Sequence, residues 1–314
     1  MIDDLVLKPN DRVLILGGTG FIGSRLISEL SGRNIKLRLL VRNPSNVSTS
    51  ILENKDIEIV KGDLVKGEGL KEAVRGIHTA YYLVHSMGGK SMFKNTEFVR
   101  MDKEAAKNFI KSADESAVKR VIYLGGLGET GKNLSKHLKS REEVAEILSS
   151  GELHVTVLRA AVIIGAGSTS FLMLKYLVER LPIMICPRWI DTKIQPIAVK
   201  DVLMYLTGCL LKPETAGKRF DIGGPVVLTY REMVQQYTEV VGIPRRIIFR
   251  VPGLSLHLAS YWVDLVTPVS SGIAHPLIEG LKNEVVCLDY RIDRYVPIKR
   301  KSFKEAVKIA VSGE

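Results

Sequence analysis

Cysteine is scarce in this chain and poorly placed for its usual structural roles. The 314 residues hold three, Cys186, Cys209 and Cys287. They stand too far apart for a CxxC-type metal pair, and an odd number does not suggest a disulfide framework. No residue pattern points to a metal, and a reducing, cytoplasmic setting is expected. Long basic blocks are also missing: the net charge is +11, yet no run of five Lys or Arg occurs. Nucleic acid is therefore not an expected partner, which leaves phosphorylated ligands, an anionic membrane surface, or a solvated basic exterior. Residues 1–10 contain no uninterrupted apolar segment behind a basic start, so no signal peptide is expected. The most apolar stretch, residues 251–269, is interrupted by Pro252, His257, Asp264 and Pro268. It is too broken to span a bilayer, though with Arg245, Arg246 and Arg250 beside it, it can lie on a membrane surface or a protein partner, or cover a core. Linkers, low-complexity segments and internal repeats are absent as well.

What is present is an alternation. From Arg12 to about Gly165, short β-branched apolar runs alternate with longer amphipathic ones, the pattern of a parallel sheet with crossover helices. Candidate strands cover residues 12–16, 37–41, 57–61, 79–84, 120–124 and 156–158. Candidate helices cover 21–30, 70–74, 95–113 and 139–148. Beyond Gly165, prolines at 182, 187, 196, 213, 225, 244 and 252 break the chain into short elements. The expected fold is α/β: a doubly wound six-stranded sheet over residues 1–165, with residues 166–314 forming a smaller α+β lobe packed on it, in one unit with some interleaving.

Ligands bind beyond the carboxyl ends of such strands. There the first strand runs into Gly17-Gly18-Thr19-Gly20-Phe21-Ile22-Gly23, a strand-to-helix turn built of glycine. A side chain in that turn would hold a pyrophosphate away from the backbone, and the first helical N–H groups are unpaired donors at the positive end of the helix dipole. This is a dinucleotide signature. Where NAD-preferring sites place an acidic residue after the second strand, this chain has Arg42, whose forked guanidinium can pair with a 2′-phosphate. NADP(H) is thus favoured over NAD(H). Lys36 and Arg38 alternate with Arg42 and are expected to be solvated. Asp63, followed by Leu64, can accept from an adenine amino group or simply cap a turn. Leu83, Val84 and His85 follow the fourth strand and should pass beside the ribose, although a histidine at a strand end also serves packing.

Together with Gly62-Asp63-Leu64, Leu158-Arg159-Ala160-Ala161-Val162-Ile163-Ile164-Gly165, the run from Gln195 to Val202 and Phe220-Asp221-Ile222-Gly223-Gly224-Pro225, these residues resemble the short-chain dehydrogenase/reductase superfamily in its extended and atypical branches. The chain is most similar to the NmrA-like and complex-I 39-kDa-subunit-like groups. The resemblance implies a Rossmann fold, an NAD(P) cofactor touched by Gly125, Arg141 and Ala161, and a small or amphiphilic substrate. It also exposes departures. The family's Tyr-x-x-x-Lys pair corresponds here to His137 and Arg141, and its serine is replaced by the run Gly125-Gly126-Leu127-Gly128. His137 and Arg141 are therefore the candidate catalytic residues, although His137 can also be an exposed residue at a helix start. Ser135 and Ser140 are candidate substitutes for the missing hydroxyl. The cleft is expected to be lined by His85, Met87, residues 125–128, 161–165 and 189–195. Two functions remain open: an oxidoreductase, or a non-catalytic NAD(P)H sensor or assembly module acting through a partner.

Overall fold

The computed structural model describes residues 2–85, 95–128, 135–251, 266–269 and 277–313. In chain order the first half gives β1 (Arg12–Leu16), α1 (Phe21–Ser31), β2 (Lys36–Val41), α2 (Thr49–Leu52), β3 (Ile57–Lys61), α3 (Leu70–Val74), β4 (Ile77–Tyr82), α4 (Asn95–Asp114), β5 (Arg120–Gly126), α5 (Lys136–Leu148) and β6 (His154–Ala160). The second half continues with β7 (Ile163–Ile164), α6 (Thr169–Arg180), β8 (Ile183–Cys186), β9 (Lys193–Ile194), β10 (Ile197–Ala198), α7 (Val199–Leu211), β11 (Arg219–Ile222), β12 (Leu228–Thr229), α8 (Tyr230–Val241), β13 (Ile247–Arg250) and α9 (Phe303–Ser312).

The central sheet has seven parallel strands in the order β11-β6-β5-β4-β1-β2-β3. Strands covered on both faces must be apolar throughout, and Val13 to Leu16 of β1 are wholly buried. One face packs on α1 and α7 through Leu26, Ile27, Leu30, Val202, Leu206 and Leu210. The other packs on α3, α4 and α5 through Ala73, Ala106, Phe109, Val144 and Leu148. A third core, built from α6, α8, α9 and the short strands, forms the lobe around Phe171, Met184, Met233, Tyr237 and Val307. The order of strands reverses between β1 and β4, so the crevice beyond their carboxyl ends is the ligand position of such a sheet.

The seventh strand is a correction to the six expected. β11 comes from the second half of the chain and pairs with β6 in the register Phe220↔Leu158 and Asp221↔Arg159. Its alternating charges hide it as a strand: Arg219 pairs with Glu142 towards the surface, while the buried Asp221 accepts at Oδ1 from Arg159 Nε at 2.8 Å and forms an ion pair with it at 2.7 Å. Asp221 Oδ2 also accepts from the N–H groups of Leu288 and Asp289. These motif residues therefore tie the C-terminal segment to the sheet. Gln195 does the same, donating to the Gly224 carbonyl and accepting from Cys287 N–H and Tyr290 OH.

Arg38 is likewise not solvated. It is buried, its Nη1 reaches the carbonyl oxygens of Glu72, Ala73 and Arg75 at the end of α3, and Glu58 accepts from Nε and Nη2. Arg120, fully buried at the start of β5, serves α7 in the same way through the carbonyls of Cys209, Leu210 and Lys212, with Leu5 as a fourth acceptor. A cation at a helix C-terminus satisfies carbonyls that the helix leaves open.

All three cysteines are buried and free of disulfides, and burial pushes the thiols of Cys186, Cys209 and Cys287 up to about 11, 12 and 12. Among the described residues no helix is long and apolar enough to cross a membrane. Most of the apolar segment 251–269 lies outside the described residues.

Candidate functional site

The glycine turn holds its shape because nothing larger fits. Gly17 has φ +87°, and a Cβ there would stand 2.8 Å from the Leu83 carbonyl oxygen. A Cβ on Gly23 would stand 2.2 Å from the Gly17 carbonyl oxygen. The two positions thus set β1 against β4 and α1 against the turn. Gly20 N–H donates to the Gly17 carbonyl at 3.0 Å and begins α1 without a side-chain cap. The N–H groups of Phe21, Ile22 and Gly23 therefore form an open cradle of backbone donors, with Thr19 exposed at its rim. Arg25 fixes the helix start: it lies 4.3 Å over the Phe21 ring and donates to the carbonyls of Phe21 and Ala166. This backbone-only cradle fits a pyrophosphate.

Arg42 stands exposed immediately beyond β2, with no hydrogen bond or ion pair among the described residues. Asp63 caps the turn after β3, its Oδ1 accepting from Val65 N–H at 2.8 Å and Lys66 N–H at 3.2 Å, while Leu64 is buried in the core beneath. Leu83 N–H donates to the Leu16 carbonyl, which carries Leu83 and Val84 along the edge of the glycine turn.

Beyond β4 and β5 three ionisable residues from different elements converge. His85 Nδ1 lies 3.2 Å from Asp102 Oδ2 on α4, and its ring centroid is 5.0 Å from that of His137 on the first turn of α5. His85 Nε2 is buried and has no hydrogen-bond partner among the described residues. Burial, reinforced by the nearby Arg141 guanidinium, lowers the pKa of His85 to about 4 despite the opposing Asp102 carboxylate. Burial, then Arg141 and His85, holds His137 well below the usual histidine range. Both imidazoles are neutral at pH 7. His137 is thus half-buried within a cluster, not exposed at a helix start. Ser135 Oγ caps α5 by accepting from Leu138 N–H, Ser140 Oγ is buried, and neither residue is part of the cavity lining.

A cavity of about 610 Å³ opens beside this cluster. Ile22, Leu83, Gly125, His137, Arg141 and Ala161 line its cofactor side, and apolar residues of the lobe line the rest, among them Met173, Leu177, Trp189 and Met233. Arg42, Asp63 and Leu64 belong to the far side of the crevice, beyond β2 and β3. His85 stands behind His137 without lining the cavity, and Met87 lies outside the described residues. Gly128, Ile164, Gly165 and residues 191–195 are not part of the lining either. Asp102 escaped the sequence reading because it is one carboxylate on an amphipathic helix, 17 residues beyond its partner. The lobe residues escaped because an apolar helix face over a cavity has the same periodicity as one over a core.

A family model described as NAD(P)H-binding matches residues 17–174, half of the chain. Among curated relatives, a ceramide reductase of Caulobacter vibrioides is 26% identical, over 80% of this chain and 77% of that protein. A 3-beta-hydroxysteroid dehydrogenase of Mycolicibacterium neoaurum is 30% identical, but the match spans 36% of this chain and only 31% of that relative. A dihydroflavonol 4-reductase of Callistephus chinensis is 28% identical over 37% and 34%. Among solved structures, a nucleoside-diphosphate-sugar epimerase from Staphylococcus aureus superposes with a TM-score of 0.74 at 17% identity, covering 95% of this chain and 99% of that one. Bordetella bronchiseptica WbmH, solved in complex with NAD+, gives 0.69 at 14% identity over 96% and 98%. At these identities the solved structures show a shared fold. With the glycine cradle at the switch point of a seven-stranded parallel sheet, the chain belongs to the NAD(P)H-binding family of short-chain dehydrogenase/reductase-like proteins.

Proposed function

We propose that this protein is an NADP(H)-dependent oxidoreductase that interconverts a carbonyl and an alcohol on a lipid-like amphiphile. The observation that carries the reading is the cavity: it begins at residues of the cofactor cradle and continues as a largely apolar chamber, with His137 and Arg141 among its lining residues. A module that only senses a nucleotide needs no second chamber. Relatives whose names specify a ceramide and a steroid as substrates support the same class.

The nicotinamide supplies the hydride when bound. The backbone donors of residues 21–23 hold the pyrophosphate, and Arg42 pairs with the 2′-phosphate. The aliphatic walls bury the substrate tail and exclude water, which strengthens every polar contact at the junction. Reduction places a hydride on the carbonyl carbon and a proton on its oxygen. His137 faces that oxygen and passes the proton, while the Arg141 guanidinium stabilises the charge that develops there. His85, held by Asp102, supports the His137 ring from behind.

Single-turnover oxidation of bound NADPH by carbonyls of increasing chain length tests this reading, and long-chain members are expected to react fastest. The replacement of the family's Ser, Tyr and Lys by Gly125, His137 and Arg141 favours the sensor as the second reading. NADPH binding without oxidation by any carbonyl, enone or quinone would select it.

A further inference from the structure

The lobe carries an apolar surface that a cavity fed from water does not need. β8 and β13 form a parallel two-stranded ribbon in the register Ile183↔Ile247 and Ile185↔Phe249. Alternate residues of a strand share a face, so these four side chains stand together. They are 53, 60, 54 and 55% exposed, whereas the intervening Met184 and Cys186 are buried in the lobe core. A strand with one solvated face ordinarily turns polar residues outward. Here both faces are apolar, and the outer one forms a contiguous patch of the kind that marks an interaction site.

The patch is continuous with the cavity. All four residues of β8 line the cavity, and among the described residues β8 pairs with no strand but β13. The lining therefore includes Ile183 and Ile185, which also stand on the exposed outer face. The surroundings are basic: residues 179–191 and 245–251 hold Arg180, Arg188, Arg245, Arg246 and Arg250 against Glu179 and Asp191. Both carboxylates are already engaged, Asp191 by Arg231 at 2.7 Å and Arg250 at 3.4 Å, and Glu179 by the Tyr237 hydroxyl.

We propose that the β8–β13 ribbon docks on an anionic lipid bilayer, seating Ile183, Ile185, Ile247 and Phe249 at the headgroup boundary so that a lipid substrate enters the cavity along β8. Exposed apolar side chains on a segment with a net excess of arginine are the composition that an anionic interface attracts. A second copy of the chain on the same face would instead oppose like charges. The purpose of the docking rests on the lipid-substrate reading above, but its test does not.

That test is flotation of the full chain with phosphatidylcholine vesicles with and without phosphatidylglycerol, in the absence of cofactor. Co-flotation is expected with the anionic vesicles at low salt, falling as salt screens the arginines. The double variant Ile247→Ser, Phe249→Ser should partition roughly tenfold or more weakly. Its NADPH affinity and its turnover of a water-dispersed substrate should be unchanged, because neither residue lines the cavity. Wild-type protein that stays off anionic vesicles, or a double variant that floats equally well, overturns the proposal. So does a wild-type dimer in gel filtration that the double variant converts to monomer, which would assign the ribbon to a second copy. Failure to float and failure to oxidise NADPH are separate readouts, so either proposal can fall alone.

Discussion

Arg42 and His137 have opposite surroundings, and each sets a different experiment. Arg42 is exposed at the end of β2 and unpaired among the described residues, so a carboxylate there leaves the fold intact and repels a 2′-phosphate. Arg42→Glu is expected to weaken NADPH binding by about 2 kcal/mol, the worth of a charge-assisted contact, and to erase or reverse the preference over NADH in calorimetry. His137 is held deprotonated by burial and by Arg141. A proton donor whose pKa lies below the working pH is scarce in its active form, so single-turnover reduction should accelerate as pH falls from 7 toward 5, by up to about tenfold per unit. His137→Phe should flatten that profile while leaving NADPH affinity nearly unchanged. The cradle was legible in the sequence because its chemistry is backbone chemistry, and glycine spacing records backbone approach directly. The His85–Asp102–His137 cluster was not, since its members belong to β4's exit, α4 and α5, and only folding brings them together.

At the scale of elements, two buried arginines hold helix ends. Removing Arg120 takes a donor from the carbonyls of Leu5, Cys209, Leu210 and Lys212, of which Cys209 and Lys212 keep the Thr215 hydroxyl. Arg120→Met is expected to cost about 3 kcal/mol in urea denaturation, the lower range for a broken buried polar network. An equal loss is not expected from Lys36→Met, because Lys36 is only half-buried at the edge of β2 and makes a single long contact with Asn10. Sequence periodicity placed the first six strands within a few residues, since a strand covered on both faces has to be continuously apolar. The same rule hid β11: Arg219 and Asp221 break the apolar run, and Asp221 becomes acceptable only beside Arg159, 62 residues earlier in the chain. Arg38 was misread for a related reason, because its acceptors are carbonyls at the end of α3 that no side-chain pattern announces.

For the whole molecule, the neutral histidine cluster makes stability depend on pH. The unfolded chain binds a proton at His85 near pH 6.5, whereas the folded chain does so only near 4. Stability is thus complete above about pH 6.5 and declines as pH falls toward 4, by about 3 kcal/mol from this residue. His137 adds in the same direction. Denaturation midpoints at pH 7 and 4.5 should differ less in His85→Gln than in the wild type, and identical differences would contradict the assignment.

The three buried thiols, finally, turn the protein into its own strain gauge. Cys209 lies between α7 and the sheet, Cys186 inside the lobe, and Cys287 in the segment pinned by Gln195 and Asp221. With their pKa values raised above 10, none reacts appreciably until its compartment opens. Pulsed alkylation read by mass spectrometry therefore times three openings separately. Labelling of Cys186 ahead of Cys209 would reveal a lobe that breathes while the nucleotide cradle stays shut, and simultaneous labelling would mark a single cooperative unit.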